Sequence, residues 1–285
     1  DYFCSIVRAS VQTGMSLPVW IPDIQLGQTD VNKTTYAITF CFMQNVSTTS
    51  VPSMQYFFRA STVSYIPNDV SQPIPSAPTI AQDISSTYYY MYCINDFVDM
   101  INTTLSNLTK TIIADAVTTG QTFLSPYLSF DSASGLFSFH IDEHVDQTTL
   151  NTSTLYVYFN NWLYNLIPFQ ATTQNTATQT QHLIKFTNRS YSNQSFVYNG
   201  NSNTKLGYIE TVQEVCTLGL LNPVKSIIFS TNTLPINATM SSAPKVISDK
   251  NLSGSAAPNL INELTDIEIP ITSANQYRPE VLYAP

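Results

Sequence analysis

Short runs that alternate between apolar and polar side chains dominate the chain, and they predict β-strands rather than helices. Tyr36 to Phe42 (YAITFCF), Leu136 to Ile141 (LFSFHI), Leu155 to Phe159 (LYVYF) and Ile227 to Ser230 (IIFS) are rich in β-branched and aromatic residues. Each is bounded by Asn, Gly, Ser or Pro, which favour turns. Asp131 to Gly135 separates two aromatic runs and predicts a hairpin, with Gly135 supplying a positive φ. One stretch departs from this period. In Asn95 to Val117, the residues Phe97, Ile101, Leu105, Leu108, Ile112 and Val117 recur at three- to five-residue steps, with Met100 and Ile113 beside them. That stripe predicts one amphipathic helix over about 95–117, with Asn95 or Asp96 as N-cap and Gly120 as stop. A shorter helix is predicted from Phe159 to Leu166.

Between these elements lie long polar segments. Pro67 to Pro78 (PNDVSQPIPSAP) is too proline-dense for a helix or a central strand, so it reads as a surface loop. Ala171 to Gln181 (ATTQNTATQTQ) reads as an exposed loop or linker, and about Asn237 to Asn262 as another loop. SIVRAS followed by LPV near the start echoes SIIFST followed by LPI from Ser226. The domain expectation is therefore one β-sandwich over 1–285, with a duplicated or second β-barrel portion after about residue 182 as the alternative.

Composition narrows the function classes. Only 11% of the 285 residues are charged, against roughly 25% in ordinary globular domains, while 43% are hydrophobic. Such a chain buries a core and is not disordered overall. Its apolar runs are far shorter than the ~20 residues that span a bilayer, so no membrane span is expected. The net charge is −8 and the basic residues are scattered, which argues against direct nucleic-acid binding. Asp1 opens the chain without Met or a signal-like stretch, and Tyr277 to Pro285 ends on a strand-like run. Both fit a processed or trimmed chain with more sequence following.

Candidate chemistry is sparse. Cys4, Cys41, Cys93 and Cys216 match no zinc spacing, and they read as small buried hydrophobes or as one or two disulfides. His140, Asp142 and His144, in HIDEHVD, are the one local set that offers metal ligands, in competition with a polar turn after the LFSF strand. Asp96 with Asp99 suits a helix first turn, and Asp266 with Glu268 suits one face of a strand. No catalytic motif is present, no cofactor is implied, and no enzyme is indicated. Tyr88, Tyr89, Tyr90 and Tyr92 (YYYMY) read as an alternating strand, buried on both sides or offering an intersubunit contact. Nine Asn-x-Ser/Thr sequons occur, two of them, at Asn102 and Asn107, inside the predicted helix.

The order SIVRAS…LPVWIPDIQ…YAITFCF, YYYMYCINDFVDMINTTL, PYLSFDSASGLFSF, LYVYFNNWLYNLI and NPVKSIIFSTNTLPI…LTDIEIPI resembles jelly-roll capsid proteins of icosahedral eukaryotic viruses. The resemblance covers nearly the whole chain as a pattern rather than a single motif. It implies a mainly β fold, an antiparallel jelly-roll-like β-sandwich with one inserted helix and long polar loops. It also implies a virion structural protein that self-assembles into an icosahedral shell, with copies of itself and other capsid proteins as partners. A basic genome-facing arm, common in such proteins, is missing here. The alternative is a non-enzymatic receptor- or glycan-binding surface module, extracellular, with Trp20 or Trp162 in a shallow ligand site. Turn or core burial of both tryptophans is the competing expectation.

Overall fold

The computed structural model describes residues 18–48, 51–79, 86–116, 123–145, 153–175, 180–186, 190–191, 208–221, 226–231, 245–247 and 260–268. The chain divides into two compact units, Asp1–Pro223 with Ser273–Asn275 and Val224–Thr272 with Gln276–Pro285. The division falls at 223/224 rather than near 182, because the strands just beyond 182 complete sheets of the first unit.

Two antiparallel sheets make the first unit. In the five-stranded sheet β1 (Lys33–Thr48) lies between β2 (Val51–Ser64) and β5 (Ser153–Asn160), followed by β7 (Thr180–Ile184) and β6 (Ala171–Asn175). The second has the order β3 (Tyr127–Asp131), β4 (Leu136–Asp142), β9 (Tyr208–Val212), β8 (Ser190–Tyr191). Alternation puts Ile38, Phe40 and Phe42 of β1 inside, and register brings Phe159, Val157 and Leu155 of β5 beside them. Phe137, Phe139 and Ile141 of β4 are equally buried. Phe139 joins the two sheets, with its ring 5.7 Å from Phe159, 5.7 Å from Phe186 and 6.0 Å from Phe169. The strands predicted at Tyr36–Phe42, Leu136–Ile141, Leu155–Phe159 and Ile227–Ser230 are present, and the β3–β4 hairpin turns through Gly135 at φ 71°.

Helix α1 (Ile94–Asp115) matches the predicted stripe, with Phe97, Ile101, Leu105, Leu108 and Ile112 buried. Phe97 meets Trp20 at 4.8 Å and Phe137 at 5.7 Å, which seats the helix against the β4 core. Its N-cap is Cys93, without a side-chain bond, rather than Asn95 or Asp96; the chain leaves extended conformation only there. Val117 and Gly120 lie outside the described residues. Asn102 is fixed by β3, its Nδ2 donating to the Leu128 carbonyl (2.9 Å) and its Oδ1 accepting from the Leu128 N–H (2.7 Å). A glycan on that sequon would take one of the two Nδ2 hydrogens and crowd the bond to the Leu128 carbonyl. The shorter helix is α2 (Asn161–Leu166), capped by Asn160, whose Oδ1 accepts from the Leu163 N–H. A third, α3 (Leu218–Leu221), follows β9.

Three expectations change. The segment predicted as a linker at 171–181 holds β6 and the start of β7, which pair from Ala171↔Ile184 to Asn175↔Thr180. A polar strand at a sheet edge needs no apolar face, so composition conceals it. Tyr88 to Tyr92 form no strand: Thr87–Tyr89 is a 3-10 turn, with Ser86 Oγ accepting from the Tyr88 N–H. The loop expected over about 237–262 contains β11 (Lys245–Ile247) and the beginning of β12 (Leu260–Glu268). In the second unit these two strands form a three-stranded antiparallel sheet, order β10-β12-β11, with β10 (Ser226–Thr231). The early copy of the duplicated pattern, Ser5 to Leu17, lies outside the described residues.

Candidate functional site

The metal-ligand candidates separate in space. His140 is buried: its ring stacks on Tyr127 at 4.3 Å, and Ser129 Oγ lies 2.8 Å from Nε2. Asp142 and His144 do meet, Oδ1 to Nδ1 at 2.8 Å. Asp142 is nevertheless committed to the backbone, accepting from the N–H of Leu124 (2.8 Å) and of His144 (3.0 Å). It ties the segment entering β3 to the turn leaving β4. Among the described residues no group of three metal-ligating side chains converges. Cys41, Cys93 and Cys216 are free thiols, and burial pushes Cys41 up to about 11, so it is an unreactive buried thiol.

Burial holds His140 neutral, lowering its pKa to about 4 against the opposing pull of Glu210 on β9. The unfolded imidazole, near 6.5, takes up its proton first, so stability is full above that pH and falls as pH drops towards 4. A loss of up to about 3 kcal/mol is expected across this window. His182 is also lowered by burial and adds the same sign. His144 is raised by its hydrogen bond to Asp142, so its contribution is complete below 6.5 and lost at higher pH. Urea unfolding at pH 7 and pH 4.5 checks this: His140→Phe should flatten most of the decline.

The tyrosine run is mostly spent within the chain. Tyr88 and Tyr89 are buried, with ring centroids 5.7 and 5.5 Å from that of Tyr65. Tyr88 Oη donates to Asn32 Oδ1 (2.8 Å) and Tyr89 Oη to the Val31 carbonyl (3.0 Å). Tyr90 and Tyr92 stay half-buried, 6.4 Å apart edge to face.

The outer face of the five-stranded sheet holds an apolar row that sequence reasoning missed. Strand parity directs Cys41 and Met43 of β1 outward, opposite Phe58 and Tyr56 of β2 and Tyr156 and Thr154 of β5. Met54, Tyr56 and Phe58 follow one another on this face at 57%, 53% and 57% exposure, and the last two rings stack at 6.5 Å. Strand β2 is the sheet edge among the described residues. The other end of the same face is polar. There a cleft of about 540 Å³ opens beside Trp162, which is 58% exposed, whereas Trp20 is buried against Tyr36 and Phe97. The hydroxyls of Thr35, Thr39, Ser61 and Thr62 line this cleft. Period-two alternation over MQYFF was a readable signal for the apolar end; the cleft, assembled from β1, β2 and the β5–α2 corner, had none.

The profile of the family described as Sputnik minor capsid protein V18/19 matches residues 1–285. The chain belongs to this family. Its role is accordingly that of a virion structural protein, a capsid component. A curated relative, uncharacterized protein V18 of Sputnik virophage, is 35% identical over 122 residues. That match covers 40% of this chain and 64% of the relative, just under two thirds of its length. A chain in the 3.5 Å cryo-EM structure of the Sputnik virophage superposes with TM-score 0.66 at 24% identity, covering 95% of this chain and 71% of that one. The likeness carries the fold, a mainly antiparallel β architecture with few helices. The mavirus penton protein aligns with TM-score 0.47 at 16% identity, over 90% of this chain and 64% of the penton.

Proposed function

We propose that this chain is a self-assembling subunit of an icosahedral shell and meets a second copy of itself through the apolar end of the outer sheet face. The observation that carries this reading is the exposed row Met54, Tyr56 and Phe58 on an edge strand. Contiguous apolar surface of this kind is uncommon on monomers and marks protein contacts. Aromatic side chains and Met are the types enriched in such contacts. Tyr90 and Tyr92, half-exposed, extend the candidate contact residues; other capsid proteins are further partners. We read the role as non-enzymatic, supported by the structural engagement of the histidines: His140 with Ser129, His144 with Asp142 and His182 with Asn161.

Size-exclusion chromatography with light scattering, and negative-stain microscopy of the same fractions, test the assembly. Closed rings or shells are expected. A monomer at every concentration and salt would exclude self-assembly through this face.

A further inference from the structure

The polar end of the outer sheet face has the chemistry of a ligand site, independent of the shell contact. Trp162 stands in the first turn of α2 with most of its indole open to solvent. An indole is the costliest side chain to leave in water, and no ring among the described residues contacts it. Its position is fixed from below by Asn160. That side chain accepts from the N–H of Ala37 (3.1 Å) and of Leu163 (3.1 Å), and donates to the Thr35 carbonyl (2.8 Å). The corner between β5 and α2 is thereby locked to β1, so the indole is presented on a rigid element.

The cleft beside it is lined by neutral groups. To the four hydroxyls are added Thr180 and the amide side chains of Gln25, Asn160, Asn161 and Gln181, with Ala37 and Ala60 leaving the floor low. Asn161 Oδ1 lies 3.2 Å from His182 Nε2, and Gln181 Nε2 donates to Thr39 Oγ1 at 3.4 Å. Among the described residues no Asp, Glu, Lys, Arg or His lines the space. Its volume of about 540 Å³ falls within the range of small-molecule pockets, ~300–1,000 Å³.

These features select a ligand class. An ionic ligand would leave water for a cleft without a counter-charge, at a desolvation cost nothing offsets. A purely apolar ligand would strand the amides and hydroxyls. A ligand with many hydroxyls and one apolar face satisfies both sets of groups. Its hydroxyls pair with side chains that both donate and accept, and its C–H face lies on the electron-rich indole. We propose that this cleft binds an uncharged oligosaccharide, with Trp162 as the stacking platform and Asn161 and Gln181 among the hydrogen-bonding groups.

The test is a printed array of neutral oligosaccharides with sialylated and sulfated counterparts, probed with the wild-type chain and three variants. Neutral members should bind, and Trp162→Ala should weaken binding at least tenfold while leaving the thermal midpoint unchanged. Trp162→Phe should retain part of the affinity. Phe58→Ser, at the opposite end of the face, should bind as wild type does, which separates this site from the shell contact. Intrinsic fluorescence should shift on titration with the best array member, because Trp20 is buried and Trp162 is the exposed reporter. Absence of binding to every neutral member, a preference for anionic members, or equal binding by Trp162→Ala would overturn the proposal. So would a fluorescence shift of Trp162 that follows oligomerisation alone; that result would assign the indole to a subunit contact.

Discussion

Phe139→Ala is expected to cost the first unit about 3–5 kcal/mol of stability, the range for truncating a large buried ring. Phe139 is fully buried, and its ring meets Phe159, Phe169 and Phe186, so neither sheet can close the cavity without losing its partner. Typical domains hold only ~5–15 kcal/mol in reserve, so the variant should sit near the edge of folding. Urea unfolding followed by Trp20 fluorescence is the measurement, since Trp20 is buried on Phe97 and reports on this unit. Phe139→Leu keeps most of the volume and should lose roughly 1–2 kcal/mol. Equal midpoints for Phe139→Ala and wild type would mean that the two sheets are not joined through this ring.

That central ring was readable from LFSFHI because a strand between two others must be apolar on its inward face and tolerates β-branched and aromatic residues throughout. The same holds for β1 and β5, whose predicted runs are the interiors of longer strands. Edges obey weaker constraints. Strand β6 is exposed from Thr172 to Asn175, so its Thr, Gln and Asn carried no alternation to find. Strand β2 mixes Arg59, Gln55 and Ser61 with Phe57, whose ring stacks on Phe42 at 6.4 Å, so its inward face does not read as apolar. The tyrosine run failed for a different reason. Period two is not a sufficient sign of a strand, and here the acceptors Asn32 and Val31 hold Tyr88 and Tyr89 in a 3-10 turn. Those acceptors lie more than fifty residues away. Of the two tryptophans, Trp20 follows Pro18 and Val19, and Trp162 follows two asparagines. Only the second pattern announces a helix start, and a residue in the first turn of a short surface helix is the one left exposed. The capsid role was legible as an order of elements, without the particular family; the surface through which a subunit acts was not, because it is made where three strands and a helix corner meet.

Replacing Tyr56 and Phe58 together with serine is expected to abolish ordered self-association while leaving the fold intact. Both side chains are more than half exposed and their rings touch each other, so their removal opens no cavity. The unfolding free energy should therefore stay within the range of ordinary surface changes, about ±0.5 kcal/mol. At an interface the same rings behave as anchors, where truncation of an aromatic costs ~2 kcal/mol or more per contact. One such loss weakens a pairwise contact roughly 30-fold. A closed ring or shell repeats the contact by symmetry, so the deficit recurs at every interface and moves the assembly threshold far beyond the pairwise change. The opposite substitution sharpens the test. Phe58→Lys places a charge on a sheet edge, a device by which natural edge strands refuse partners, and it should leave a monomer at all salt concentrations. If the serine variant still forms the particles that the wild-type chain forms, the contact lies elsewhere. The half-exposed pair Tyr90 and Tyr92 then becomes the surface to substitute. If the wild-type particles vanish while Trp20 fluorescence and unfolding midpoint are unchanged, the outer face of the five-stranded sheet is the face on which the shell closes.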